Sequence, residues 1–154
     1  MTSHVEHRVR ASDIRGEIDV TSYLVPIGRL LFAAIFLTTI IGHFKAETIQ
    51  HAAAAGVPLA SIAVPLSGII AFIGGLSVAL GYKAKLGALL IVLFLVPVTL
   101  MMHAFWKVDD PATRQIQMIM FMKNLSMLGA ALMLIHQGAG PFSFDNMERT
   151  RRSR

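Results

Sequence analysis

The chain has 154 residues, 55% of them hydrophobic and 15% charged, with a net charge of +5 and a mean hydropathy of +0.62. That length fits one domain or one bundle, but the charged share is far below the ~25% of a soluble domain. A soluble fold of this size could not hide so much apolar surface, and the same numbers exclude intrinsic disorder. With no cysteine, disulfides, iron–sulfur clusters, thiolate zinc sites and cysteine nucleophiles are excluded as well.

Residues 1–22 are polar, with Arg8, Arg10, Arg15 and the acids Glu6, Asp13, Glu17 and Asp19. They hold no apolar run with a small-residue cleavage site, so they read as a soluble tail and not as a secretory signal. Four apolar stretches follow, at about 23–41, 57–80, 86–102 and 116–135. Each is close to the ~20 residues that cross ~30 Å of hydrocarbon as a helix. Strand-like alternation is absent, so the expected fold is all-α, an integral membrane four-helix bundle with short loops and polar termini. The bundle occupies 23–140, and a basic tail occupies 141–154.

Gly81 reads as a helix stop before the turn Tyr82-Lys83-Ala84-Lys85. Residues 43–56 are Ala-rich enough for a short helix at the membrane interface. Residues 103–115 carry Trp106 and an Asp109-Asp110-Pro111 turn.

Four spans put both termini and the 81–85 turn on one side. That side holds Arg8, Arg10, Arg15, Arg29, Lys83, Lys85, Arg149, Arg151, Arg152 and Arg154, while the other holds Lys45, Lys107 and Arg114, and Lys123 lies in a span. The asymmetry places both termini in the cytoplasm and the bundle in the inner (plasma) membrane. Topology and attraction to anionic lipid then account for the pI near 10.1. The expected surroundings are the lipid bilayer, not nucleic acid.

Ser67, Ala71, Gly75 and Ala79 recur every four residues, flanked by Gly68 and Gly74, and form a face on which another helix can approach closely. Ser126–Ala130 and Leu125–Gly129 repeat the pattern more weakly. Pro97 removes a backbone donor and is expected to kink the third span near its outer end.

The polar residues within this apolar chain are the candidates for function. His43 closes the first span and His103 the third, both at the outer face. Thr99, His103 and Trp106 share one face if the helix continues, and Gln117 and Asn124, seven apart, share another. One reading makes the histidines interfacial and Trp106 part of an aromatic belt. The other gathers His43, His103, Lys123, Asn124, Gln117 and Trp106 as ligand-binding groups of one outer-side pocket, with histidine as proton carrier, hydrogen-bond donor or metal ligand. His51 reads as interfacial.

Lys123 lies about eight residues, or ~12 Å of helix, into the fourth span, where an unpaired charge costs about 2.5–3.5 kcal/mol. No acid lies in any span. Either Glu47, Asp109, Asp110, a His or Asn dipole, or an anionic ligand faces it, or it is a structural lysine that snorkels outward. Arg29, six residues into the first span, reads as snorkelling to the headgroups. Met118 and Met122 with Met101, Met102, His43 and His103 would suit Cu(I), and His43 and His103 could flank a haem. Methionine as apolar filler is the plainer account, so no metal site and no covalently bound cofactor are assigned.

These residues resemble the DoxX family of small four-span membrane proteins, over roughly residues 23–144. The resemblance is carried by Gly28-Arg29-Leu30-Leu31-Phe32, Gly42-His43-Phe44, Ala54-Ala55-Gly56-Val57-Pro58, Gly74-Gly75 with Leu80-Gly81, His103-Ala104-Phe105-Trp106, Phe121-Met122-Lys123-Asn124-Leu125 and Gly140-Pro141. Ala71 stands where members of that family often carry an acid. The resemblance implies quinone-linked redox biology at the membrane and specifies no particular reaction. Its first expectation is a subunit of a redox complex that binds quinone or quinol in the outer-side pocket. The alternatives are a non-catalytic anchor or assembly subunit for a partner complex, and a protein handling metal or small solutes.

Overall fold

The computed structural model describes residues 20–152. These form, in order, α1 (Leu24–Thr38), α2 (Ala46–Ala54), α3 (Ala60–Leu80), α4 (Ala84–Met102), α5 (Pro111–Gln137) and α6 (Phe144–Arg152). Short 3-10 turns cover Val20–Tyr23, Ile40–Phe44 and Phe105–Lys107. No strand occurs among the described residues, and the all-α expectation holds. Among the described residues, four segments are long and apolar enough to cross a membrane: Val20–Phe44, Ala60–Leu80, Ala84–Lys107 and Pro111–Gln137. The polar tail expected over 1–22 falls mostly on residues outside those described.

The helix limits follow local chemistry more closely than hydropathy. Leu59 takes a left-handed conformation, so α3 starts after it and not at Val57. Gly81, at φ +65°, ends α3 as expected, because a left-handed residue there closes the last carbonyls. α5 begins five residues before the expected 116. Asp110 accepts a hydrogen bond from the Thr113 amide at 2.8 Å, and Pro111 fills the first turn, where its missing N–H costs nothing. The Asp-Pro turn is therefore a helix start. Within the basic tail, Phe144–Arg152 form α6.

α3 packs between α1 and α4, and α4 between α3 and α5. The core joins Phe36, Ala71, Val78, Ala88, Ile91, Leu95 and Ala131. The small-residue face of α3 serves two neighbours. A Cβ on Gly75 would come 2.9 Å from Phe36 Cβ of α1, and one on Gly74 would come 2.8 Å from the Gly87 carbonyl of α4. The weaker pattern on α5 is not a packing face. Leu125, Ser126 and Gly129 are exposed, and a Cβ on Gly129 would meet nothing within 4 Å. Asn124 and Ala131, seven apart, are the buried residues of α5. Leu30, Leu31, Ile73, Leu93 and Ile119 are among the large apolar side chains facing outward. Lipid is the medium in which that surface is stable.

At one end, the segment from Gly138 to Asp145 folds back over the helix ends. Arg29, expected to snorkel, is buried instead. Its Nη1 donates to the Ala139 carbonyl and its Nη2 to the Phe142 carbonyl at 2.8 Å. Asp145 accepts from the amides of Lys83 (2.7 Å) and Ala84 (3.0 Å), which open α4, and its own amide donates to the Gly81 carbonyl. This is the clasp end of the bundle. The opposite end carries the histidines.

Candidate functional site

At the histidine end, α2 lies across the bundle. Its Ala52 packs with Ala60 and Val64 of α3, and Met102 of α4 joins the same cluster. A cavity of about 440 Å³ remains beneath, within the ~300–1,000 Å³ of small-molecule sites. Its walls are mainly apolar, with Val57, Val64, Val98, Met101 and Met102 among them. The polar groups are His43, Thr48, His51, Ser67, His103 and Gln117.

His43 follows α1 in the turn Ile40–Phe44 and reaches between α3 and α4. Its ring meets Phe94 edge-on at 5.8 Å between centroids, and it can lie against α3 only because Gly68 has no side chain. Its Nδ1 is 3.0 Å from the Thr39 carbonyl. A carbonyl only accepts, so Nδ1 carries the proton and Nε2 of the neutral ring is a hydrogen-bond acceptor. His103 caps the end of α4, and its Nδ1 lies 2.8 Å from Gln117 Oε1 on α5. With the amide oxygen as acceptor, this ring has the same tautomer and also presents a bare Nε2. The Ser67 hydroxyl donates to the Val64 carbonyl at 2.8 Å, so toward a ligand its oxygen acts as an acceptor.

Of the six residues expected to share a pocket, the structure brings together His43, His103 and Gln117. The other three lie elsewhere. Because α4 stops at Met102, Trp106 leaves the face of Thr99 and His103 and joins Phe105 and Phe121 in an edge-on aromatic cluster, with centroids 5.1–5.7 Å apart. Asn124 is buried against the bundle but does not line the cavity. Lys123 is exposed on the outer surface of α5. Its ammonium is 3.4 Å from the Met120 sulfur, and no carboxylate of the described residues pairs with it. Lys123 and Asn124 are adjacent, and ~100° of helical rotation separates them. A helix that buries one therefore presents the other outward.

Thr48 and His51 also line the cavity; their spacing on α2 is legible in the sequence, but their placement depends on α2 folding over α3. Met118 and Met122 are exposed and do not line the cavity that holds His43 and His103. Among the described residues, no group of three or more His, Asp or Glu side chains could hold a metal ion.

A four-span bundle with an end cavity of this kind is the architecture of a small multi-pass membrane protein. The match that identifies its family covers residues 8–150. The chain belongs to the SURF4 family. It is 30% identical to Inner membrane protein YqjF of Escherichia coli K12, over 80% of this chain and 90% of that protein. Inner membrane protein YphA of the same organism is 28% identical, over 79% of this chain and 88% of the relative. The Surfeit locus protein 4 homolog of Drosophila melanogaster is 29% identical over 87% of this chain, which spans 44% of the fly protein. No solved structure matches.

The family match overturns the resemblance to the DoxX family. The segments that carried it are mostly helix ends and close-packing positions, such as Gly81 and Gly74-Gly75, and many four-span bundles need small residues at such places. The implication of quinone-linked redox biology loses the support it drew from that resemblance.

Proposed function

We propose that this protein resides in the inner membrane, as the names of its two bacterial relatives suggest for those proteins, and that it binds a small amphipathic molecule in the cavity under α2. The observation that supports this most is the pair of histidines whose Nδ1 atoms are engaged, so that two bare Nε2 acceptors belong to one largely apolar cavity. Such a site selects an apolar body with a head that donates hydrogen bonds, a hydroxyl above all. Hydroquinones fall in this chemical class. Lys123 has no part in the reading.

The test uses the full chain in nanodiscs, titrated with a short-tail hydroquinone, the corresponding quinone and the hydroquinone dimethyl ether. The hydroquinone is expected to bind at least tenfold more tightly than the ether, about one good hydrogen bond. His43→Phe is expected to remove most of that difference without unfolding the bundle. Equal binding of all three compounds, or of none, would overturn the proposal and leave the non-catalytic anchor reading ahead.

A further inference from the structure

The clasp end carries a second groove, of about 380 Å³, lined by Tyr82, Phe144, Met147, Glu148 and Arg151. We propose that this groove seats an anionic phospholipid, with Tyr82, Phe144 and Met147 against the glycerol and upper acyl region and Arg151 on the phosphate.

Phe144, Met147 and Arg151 lie at i, i+3 and i+7, one face of α6. The helix is not free to turn that face away. Asp145, on another side, is fixed by three hydrogen bonds to the 81–84 turn. The result is a large apolar area left open: Phe144 is 51% exposed, Met147 58% and Tyr82 49%. This area sits where the four candidate spans end. Beside it Tyr23 stacks on Phe142 with centroids 4.8 Å apart, and such rings gather at the membrane–water boundary. A short basic amphipathic helix at that level lies in the plane of the interface with its apolar face toward the acyl chains.

The charges in the groove select the headgroup. Glu148 is taken up by Arg152 at 2.5 Å, so its charge is balanced locally. Arg151 has no carboxylate partner among the described residues. Lys83, 5.5 Å from the centroid of the Tyr82 ring, adds a second positive charge at the rim. A cation beside an apolar floor suits a lipid phosphate with its acyl chains still in the bilayer. Arg149 points to the other side of α6, where it lines a polar recess with Lys85 and Asp145, and so provides a charge-matched control.

The experiment places the full-length protein in phosphatidylcholine nanodiscs and follows phosphatidylglycerol binding by native mass spectrometry. Arg151→Gln is expected to weaken binding about fivefold, the contribution of one basic residue at an anionic surface. Arg149→Gln should bind as the parent does. Equal losses in the two variants would mean diffuse attraction without a seat, and no loss in either would remove Arg151 from any site; both overturn the proposal. If inorganic phosphate displaces the lipid, the site takes a free anion and the lipid assignment falls. A second readout is independent of charge. Because the chain lacks cysteine, Met147→Cys can carry a polarity-sensitive dye. Its emission should shift to the blue when phosphatidylglycerol is added, and the same dye at Arg149→Cys should not shift. Identical behaviour at both positions would overturn the buried face.

Discussion

Gly68 shows how one missing side chain shapes the cavity. A Cβ there would lie 2.5 Å from His43 Cβ and 2.6 Å from its Cγ, so Gly68→Ala must push the imidazole out from between α3 and α4. Overpacking of this kind costs about 1–3 kcal/mol, so a lower melting temperature in detergent and weaker hydroquinone binding are expected together. Gly129→Ala, where the new Cβ meets nothing within 4 Å, is expected to be neutral or to stabilise by up to about 1 kcal/mol, since alanine favours helix. Lys123→Met should leave binding unchanged and should not lower the melting temperature. The ammonium stands outside the cavity, and removing a charge from hydrocarbon removes a cost. A large loss of binding in that variant would restore Lys123 to the site. Asp110 acts through its charge at the start of α5. Hydrogen bonds from the Thr113 hydroxyl (2.6 Å) and amide (2.8 Å) hold its carboxyl below the ordinary carboxylate pKa. With the folded pKa depressed, the stabilisation is complete above about pH 4 and fades as pH falls through the lower folded value. Asp110→Asn should therefore flatten the dependence of melting temperature on pH below about pH 4 and leave its slope above that unchanged.

Among the elements, the clasp decides how the bundle is closed. Arg29 on α1 holds two carbonyls of the returning segment, and Asp145 ties the same segment to the first amides of α4. The segment thus bridges helices far apart in sequence, and α6 is oriented by it. Arg29→Met would leave the Ala139 and Phe142 carbonyls without their donors. Hydrogen bonds to a charged group are worth about 1.5–3 kcal/mol each, so losing both is expected to cost about 3–6 kcal/mol. Asp145→Ala should weaken the same clasp. The double variant should lose less than the sum of the two, because either change alone already frees the segment. Melting curves of the four proteins in one detergent check this, and strict additivity would show two independent contacts. Arg29 was the least legible residue in the chain. An arginine near the end of a span has the same sequence neighbourhood whether it snorkels or meets carbonyls more than a hundred residues away.

Across the whole molecule, the distribution of Lys and Arg makes a topological prediction. Arg29, Lys83, Lys85, Arg149, Arg151 and Arg152 all belong to the clasp end, where a cytoplasmic location suits them. A phosphatase reporter that is active only after export should be silent when fused after residue 154. It should be active when inserted near Lys107, in the connection between α4 and α5. The reverse pattern would invert the bundle and place the cavity at the cytoplasmic face. The proposed ligand site and the proposed lipid seat lie at opposite ends, so variants in one should not alter binding at the other.

The sequence by itself determined that the chain is helical, that four segments are long and apolar enough to cross a membrane, and where Gly81 stops α3. Those properties depend on local composition and on single-residue backbone preferences. It also marked the face of α3 on which helices approach closely, because only small residues permit it. The tertiary structure alone decided which of many apolar positions face the core and which face lipid. In a bilayer both environments favour the same side chains, so the 3.6-residue contrast that orients a soluble helix is largely missing. It decided, too, that Gln117 and Asn124 turn inward while Lys123 turns out, that α2 folds over the ends of α3 and α4 to make a cavity, and that residues 138–145 return to bury Arg29. Each of these rests on contacts between segments distant in sequence, and no local pattern encodes such contacts.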